Sequence, residues 1–257
     1  MPVEAIRVES LCKSFGGLEA INNVSFQLDV GERLVIIGPN GAGKSTLFNL
    51  LNGQLRPDAG WVSLFGEDIT RLPLHKRAHM GMSRSFQLTS LFPELSVLDN
   101  VMLALHGTLD SRFQMLRATI SYSRLMEKAG QLLAQMDLIE RMNDPVKVVS
   151  YGEQRKLEIA LCLASNPRLL LLDEPSAGLT SGERHGVMDM IRNLPPEITV
   201  IIVDHDMDLV FGLARQMIVL HYGMIIAEGA PEEIQADPRV RECYMGIEED
   251  GTCADIN

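Results

Sequence analysis

A glycine-rich segment constrains this chain more than any other feature of its sequence. Residues 38–46 read GPNGAGKST and fit the pattern G-x-x-x-x-G-K-[ST], in which glycines let backbone N–H groups close around phosphate oxygens. The apolar run RLVII precedes this segment, and TLFNLLNG follows it with apolar residues at helical spacing and a glycine stop. A strand, a loop and a helix in this order predict that phosphate binds at the N-terminus of the helix.

Two polar side chains complete the site that this segment predicts. We expect Lys44 to reach the β- and γ-phosphates of a nucleotide and the Ser45 hydroxyl to bind Mg²⁺, while the helix that starts there adds the positive end of its dipole. The residues predicted to contact the nucleotide in this loop are Gly38, Pro39, Asn40, Gly41, Ala42, Gly43, Lys44, Ser45 and Thr46.

A second buried strand, LLLL, ends in two acids, Asp173 and Glu174. One acid would suit a solvated turn, whereas two suit chemistry on a phosphate. Asp173 is expected to hold the Mg²⁺ shell, usually through water, and Glu174 to orient or deprotonate the water that attacks the γ-phosphate. The guanine-reading tetrapeptide Asn-Lys-x-Asp is absent from the chain, so the pattern favours ATP hydrolysis.

Composition excludes several classes of protein. Hydrophobic residues make up 46% and charged residues 22% of the 257 residues, which is ordinary globular usage. The longest apolar stretches stop far short of the roughly 18 residues of a membrane-spanning helix. The N-terminal MPVEAIRVES lacks the features of a secretory signal, so a cytosolic location is expected. The four scattered cysteines predict neither disulfides nor zinc, and the net charge of −11 opposes a nucleic-acid partner.

The order of the predicted elements indicates one α/β domain. AIRVES, VSFQL and WVSLF alternate apolar and polar residues and predict an antiparallel β lobe. VLDNVMLAL and SRLMEKAGQLLAQMDLI predict an inserted helical lobe, after which the helix EQRKLEIALCLAS and the strands LLLL and TVIIV resume a βαβ core. QMIVLHYGMIIAEG reads as a closing hairpin around Tyr222 and Gly223. The fold class is therefore α/β, with a P-loop ATPase core and a mainly parallel sheet.

These elements also predict lobe boundaries. The core and antiparallel lobe are expected at 1–87 and 166–228, the helical lobe at 88–165, and a C-terminal helix and tail at 229–257. Gln87, at the entrance to the helical lobe, and His205, after the strand TVIIV, are weak signals individually. Their positions at the ends of core segments would let both converge on one nucleotide edge.

The chain resembles a known family. GPNGAGKST, SFQ, VSYGEQ, LLLLDEP and VDH occur in the order and approximate spacing of ATP-binding cassette (ABC) transporter ATPase subunits, and the match covers nearly the whole chain. In that family the fragment matching VSYGEQ faces the γ-phosphate of ATP held by another subunit, which implies a homodimer or a heterodimer with a related ATPase chain. The residues that this implication adds are Ser150, Tyr151, Gly152 and Glu153.

The resemblance also assigns individual roles. It implies that Phe15 stacks on adenine, although Phe15 could otherwise be plain core. Gln87 would sense Mg²⁺ and the membrane partner, and His205 would contact the γ-phosphate. Two departures from the usual family pattern lie in VSYGEQ, where Tyr151 and Glu153 replace Gly and Gln, and in AGLT, where Thr180 cannot provide the carboxylate that many cassettes have.

Further segments narrow the branch. KSFGG, GMSRSFQLTSLFPELSVLDNV, the Tyr of VSYGEQ, AGLT and ADPRVRECYMG resemble the importers of branched-chain amino acids. That implies integral-membrane permease partners, an extracytoplasmic solute-binding protein and a peripheral location on the cytoplasmic face of the inner membrane. LPLHKRAHMG is similar to lipopolysaccharide-export ATPases, and a soluble ABC ATPase acting on nucleic acid is the remaining alternative. The cargo itself is not written in the chain.

Overall fold

The computed structural model describes residues 3–85, 91–107, 118–204 and 212–243, except for the side chains of 118–121. The described residues form two compact units, one from 3–80 and 199–243 and the other from 81–198. The strands are β1 (Glu4–Phe15), β2 (Leu18–Asp29), β3 (Arg33–Ile37), β4 (Ala59–Leu64), β5 (Glu67–Asp68), β6 (Met82–Arg84), β7 (Leu169–Asp173), β8 (Thr199–Val203), β9 (Gln216–His221) and β10 (Met224–Gly229).

Helices occur in both units. The α-helices are α1 (Lys44–Leu51), α2 (Leu74–His79), α3 (Val97–Gly107), α4 (Ala118–Gln135), α5 (Tyr151–Ala164), α6 (Ser181–Arg192) and α7 (Pro231–Ala236), and two short 3-10 helices span Ile139–Arg141 and Val146–Val148. Within the described ranges, none of these helices is long and apolar enough to cross a membrane.

The first unit contains an antiparallel sheet with the strand order β2-β1-β4-β5. Strand β1 is central to it, since Val8 pairs with Phe26 of β2 on one side and with Val62 of β4 on the other. Ile6 and Val8 are buried, whereas Arg7 between them is exposed, because alternate side chains of a strand point to opposite faces. The antiparallel lobe that the alternating segments predict is confirmed.

The first unit also contains the parallel strands β3, β8 and β9. Strand β3 pairs in parallel with β8 and with β9, so that Val35 lies between Ile202 and Met217. All five residues of β8 are buried, as expected for a parallel strand covered on both faces. Strand β10 turns back on β9 around Tyr222 and Gly223. The predicted strands RLVII and TVIIV and the predicted hairpin are confirmed.

The second unit combines three packed helices with a strand pair. Helices α3, α4 and α5 contact one another, and each has buried leucines, among them Leu105, Leu133 and Leu157. Strand β6 pairs in parallel with β7. The predicted helices are present, but α4 ends at Gln135 rather than continuing to Ile139, because Asp137 has a left-handed backbone (φ 60°) that a helix cannot accommodate. The units divide at 80/81 and 198/199, and the lobe boundaries at 87/88 and 165/166 stay predictions.

A buried arginine closes the C-terminal end of α1, the helix that follows the glycine loop. Arg77 of α2 is 1% exposed, and its Nη1 donates to the carbonyl oxygens of Leu50 (2.7 Å) and Leu51 (2.6 Å). Its Nε and Nη2 donate to the carbonyls of Leu72 (2.9 Å) and Thr70 (3.1 Å). Burial lowers the pKa of Arg77 to about 10, so the guanidinium stays charged at neutral pH and complements the negative end of the helix dipole.

Replacing Arg77 should therefore destabilise the first unit. We expect Arg77→Met to lower the free energy of unfolding by about 3 kcal/mol or more, because buried carbonyl oxygens lose a charged donor. Urea unfolding measures the loss. Lys76→Met, at an exposed residue of the same helix, is the matched control and should change stability by less than about 0.5 kcal/mol. Equal effects of the two substitutions would contradict the capping role.

Candidate nucleotide-binding site

The glycine loop connects β3 to α1 in the first unit. At Gly38 (φ 154°) a Cβ atom would collide with the Leu220 carbonyl oxygen, and at Gly43 (φ 103°) with the carbonyl oxygen of Ala20. The loop thus passes so close to neighbouring backbone that only glycine fits at these two positions. Asn40 and Gly41, in the middle of the loop, are exposed to solvent. The predicted strand, loop and helix are all present.

The N-terminus of α1 carries a positive field that no side chain of the helix neutralises. Its N-cap is Gly43, which makes no side-chain capping bond, and its first turn contains no acidic residue. The Lys44 ammonium, 8% exposed, donates to the carbonyl oxygens of Gly38 (2.6 Å) and Pro39 (2.9 Å) and so lies over the loop. Ser45 is exposed and Thr46 half-buried. A helix N-terminus and a lysine held in this way favour an anion.

Phe15 lies at the end of β1 in the same unit. Its ring is 48% exposed, which excludes a place in the core, and the Lys13 ammonium lies 5.5 Å from the ring centroid. An exposed aromatic face beside a cation is available to stack on a planar ring. The stacking role of Phe15 remains a prediction.

Asp173, in the second unit, is the last residue of β7 and is 1% exposed. Its Oδ2 accepts from Arg84 Nη2 at 2.7 Å, and its backbone N–H donates to Ser85 Oγ at 3.1 Å. Its Oδ1 is buried and accepts no hydrogen bond from the part of the chain that the structure describes. A buried carboxyl oxygen without a partner would accept a hydrogen bond from a metal-bound water, so Asp173 fits a place in the shell of Mg²⁺.

Glu174 follows Asp173 and is half-buried. Its backbone is left-handed, with φ 46°, a conformation that costs energy in a residue with a Cβ atom. Such strain clusters at functional sites, where the surrounding structure holds a side chain in a required place. The chain bends at Glu174 and then forms a turn, so Glu174 does not continue strand β7.

The VSYGEQ segment begins helix α5. Ser150 is the N-cap, its Oγ accepts from the Glu153 N–H (3.2 Å), and Glu153 Oε2 accepts from the Ser150 N–H (2.8 Å). This capping box satisfies two backbone donors of the first turn. Arg141 Nε donates to Glu153 Oε1 at 3.2 Å, so a cation offsets the charge of Glu153.

Tyr151 and Gly152 of VSYGEQ lie beside the AGLT segment, residues 177–180, and the start of α6. The guanidinium carbon of Arg155 lies over the Tyr151 ring, 5.6 Å from the ring centroid. The same ring lies close to Gly178. The Gly152 N–H donates to Glu183 Oε1 at 3.1 Å. Sequence reasoning did not select Glu183 or Arg84. The spacing of Thr180 and Glu183 is a capping-box signature that could have indicated the first, whereas no sequence pattern indicated Arg84.

The predicted site residues thus fall into two sets. The loop residues 38–46 and Phe15 lie in the first unit, and 150–153 with Asp173 and Glu174 lie in the second. Gln87 and His205 lie outside the described residues, so their roles remain predictions.

Comparison with known proteins gives matches along nearly the whole chain. A family model described as ABC transporter matches residues 21–177, and one described as branched-chain amino acid ATP-binding cassette transporter matches 224–250. The high-affinity branched-chain amino acid transport ATP-binding protein BraF of Pseudomonas aeruginosa is 39% identical over 94% of this chain and 97% of its own length.

Two solved structures are also similar. The ADP conformation of MJ1267, an ATP-binding cassette of an ABC transporter, has a TM-score of 0.83 and 31% identity, and covers 95% of this chain and 99% of its own. A dimeric post-hydrolysis state of the ATP-binding cassette MJ0796, bound to ADP and Pi, has a TM-score of 0.74 and 26% identity over 88% of this chain and 98% of its own.

The buried pair of Arg84 and Asp173 generates a stability prediction. Arg84→Met should lower the free energy of unfolding by about 3 kcal/mol, because it leaves the Asp173 carboxylate buried without its cation. The isosteric Asp173→Asn removes the stranded charge, so the double variant should recover part of the loss. Urea unfolding without nucleotide provides this double-mutant cycle, and strictly additive losses would contradict a direct ion pair.

Proposed function

The chain belongs to the ABC transporter family as an ATP-binding subunit with ATPase activity, and we propose that it energises the uptake of branched-chain amino acids or related small polar solutes. Full-length similarity to BraF carries this proposal, and the separate match of residues 224–250 to the branched-chain amino acid family model supports it. The cargo would be selected by permease subunits and an extracytoplasmic solute-binding protein. The chain would act as a peripheral subunit on the cytoplasmic face of the inner membrane.

The first unit would hold the nucleotide. The open N-terminus of α1 would supply backbone N–H groups to phosphate oxygens, and Lys44, which donates to loop carbonyls in the structure, would reach the β- and γ-phosphates. The exposed Phe15 would stack on adenine. His205 would contact the γ-phosphate, and Gln87 would lie near the Mg²⁺ bound to it.

Ser45, Asp173 and Gln87 would hold Mg²⁺, in keeping with the Oδ1 of Asp173, which has no hydrogen-bond partner among the described residues. Bound Mg²⁺ supplies positive charge to the β- and γ-phosphate oxygens. Arg84 donates to Oδ2 of Asp173, so Oδ1 would be the oxygen that faces the water ligands of Mg²⁺. Glu174 would accept a proton from a water whose oxygen attacks the γ-phosphorus. The bond between that phosphorus and the bridging oxygen to the β-phosphate then breaks, and ADP and phosphate leave.

A second ATPase chain would complete each site. Ser150 and Gly152, at the N-terminus of α5, would present a hydroxyl and a close backbone approach to the γ-phosphate held by Lys44 of the other chain. ATP would therefore close a homodimer, or a heterodimer with a related ATPase chain, and hydrolysis would reopen it. The permease converts these two states into alternating access.

Exposed apolar side chains in the second unit support a permease dock around residues 88–103, of which the structure describes 91–103. Phe92 is 56% exposed, although Asn100 fixes its backbone: Asn100 Oδ1 accepts from the Phe92 N–H at 2.8 Å and Nδ2 donates to the Phe92 carbonyl at 3.1 Å. Leu103 and Val148 are 48% and 64% exposed. A fixed backbone that presents apolar side chains suits a protein partner.

Substitution of the proposed base tests the nucleotide chemistry. Glu174→Gln should keep ATP binding but slow hydrolysis at least about a hundredfold, because the amide cannot accept the proton. Mg·ATP should then trap a dimer that sedimentation velocity detects. Glu197→Gln, the same change at an exposed residue of the same unit, is the control and should hydrolyse ATP normally. Normal hydrolysis by the Glu174 variant would contradict the assignment.

A transport assay in reconstituted membrane vesicles tests the direction of transport and the identity of the cargo. With its permease and binding protein, the chain should drive ATP-dependent uptake of labelled leucine, and Glu174→Gln should abolish that uptake. ATPase activity without uptake, accompanied by release of lipopolysaccharide from the membrane, would instead assign the chain to an exporter. Copurification with nucleic acid and no permease would contradict a transport function.

A further inference from the structure

Glu183 lies between the first turns of two helices. It is the N3 residue of α6, and its Oε2 accepts from the Thr180 N–H (3.1 Å) and from Thr180 Oγ1 (2.7 Å). These bonds cap α6 and fix the end of the AGLT segment, residues 177–180. A carboxylate at this place is the usual device of a capping box.

The other oxygen of Glu183 serves a different helix. Oε1 accepts from the Gly152 N–H at 3.1 Å. Gly152 is the second residue of α5, and an N–H in the first turn has no acceptor within its own helix. Glu183 supplies that acceptor across 31 residues of sequence. One side chain therefore joins the VSYGEQ segment to the AGLT segment, and we call this arrangement the Glu183 bridge.

The bridge is tightly packed and electrostatically favourable. A Cβ atom at Gly152 would come within 2.7 Å of the Glu183 side chain, and one at Gly178 within 3.0 Å of the Tyr151 ring. Hydrogen bonds, foremost from Thr180 and then from the Gly152 N–H and the Ser150 hydroxyl, hold the pKa of Glu183 below its ordinary value. The carboxylate is thus ionised at neutral pH while it contacts both segments.

We propose that Glu183 is a positioning residue for ATP-dependent dimer closure, because it makes the VSYGEQ and AGLT segments move as one body. The inference rests on the proposed function, in which Ser150 and Gly152 face ATP of the other chain. The Glu183 bridge sets the place of the α5 N-terminus, and Thr180 serves this bridge instead of supplying a carboxylate across the dimer. Glu183 itself touches no nucleotide.

Loss of the bridge should weaken dimer closure but leave nucleotide binding to the single chain intact. In a Glu174→Gln background with saturating Mg·ATP, Glu183→Ala should raise the protein concentration for half-dimerisation roughly tenfold, since the N-terminus of α5 loses its bond to Glu183 in both chains of the dimer. Sedimentation velocity measures this shift. Binding of a fluorescent ATP analogue to the dilute monomer should change less than about twofold, because the glycine loop belongs to the other unit.

Two further variants separate positioning from helix capping. Glu183→Gln keeps the size of the side chain but offers one acceptor oxygen, so it can satisfy Thr180 or Gly152 but not both. It should weaken dimerisation without unfolding the chain. Glu233→Ala is the matched control, because Glu233 caps α7 through the Ala230 N–H (2.9 Å) and has the same N3 place in its helix. It should leave dimerisation unchanged.

Hydrogen exchange tests the bridge without nucleotide. The Gly152 amide should be protected in the native chain, in contrast to an ordinary first-turn amide, and should exchange at least about tenfold faster in Glu183→Ala. Unchanged exchange would overturn the bridge. Unchanged dimerisation, or loss of nucleotide binding in both Glu183 variants, would overturn the positioning role. If the Glu174→Gln reference does not dimerise with ATP, the proposed function fails, and the exchange measurement still decides whether the bridge exists.

Discussion

Every α-helix begins with backbone N–H groups that have no acceptor inside the helix. In this chain some helices leave these donors open, and others cap them with side chains. At α1 a glycine N-cap and the absence of acids leave the positive end available to a phosphate. At α5 and α6, serine and threonine caps with Glu153 and Glu183 occupy the same kind of donors internally. This contrast gives the two segments different parts in the proposed site: the glycine loop would bind phosphate through its open helix N-terminus, whereas caps inside the chain hold VSYGEQ in the position from which Ser150 would face the γ-phosphate of another chain.

Buried charges keep both parts in position. Arg77 donates to two carbonyl groups at the end of α1, those of Leu50 and Leu51, and to the carbonyls of Thr70 and Leu72 before α2, so the helix that follows the glycine loop is fixed at its C-terminus. Arg84 holds one oxygen of Asp173 and leaves the other unpartnered among the described residues. Removing either cation would leave its buried acceptors without a charged donor, which costs more than the pair contributes when intact.

Local patterns predicted most of the fold. Period-two alternation identified β1 and β4, apolar runs identified β3, β7 and β8, and the residue pattern of the glycine loop identified α1. The Arg84 contact depends on the pairing of β6 with β7, which brings together residues 89 positions apart and leaves no periodic trace. Glu183 carried a local signal as a cap, but its second partner, Gly152, is visible only in three dimensions. Phe15 is exposed, as an adenine-stacking residue must be, and alternation alone could not decide this.

The central claim is that each ATP lies between Lys44 of one chain and Ser150 of another. Lys44→Ala and Ser150→Arg should each be inactive, since every site of either homodimer carries one lesion. When the two variants are mixed with permease present, one site of the mixed dimer combines both lesions and the other has neither, so ATPase activity and nucleotide trapping should return. No activity and no trapping in mixtures that demonstrably contain mixed dimers would contradict the claim.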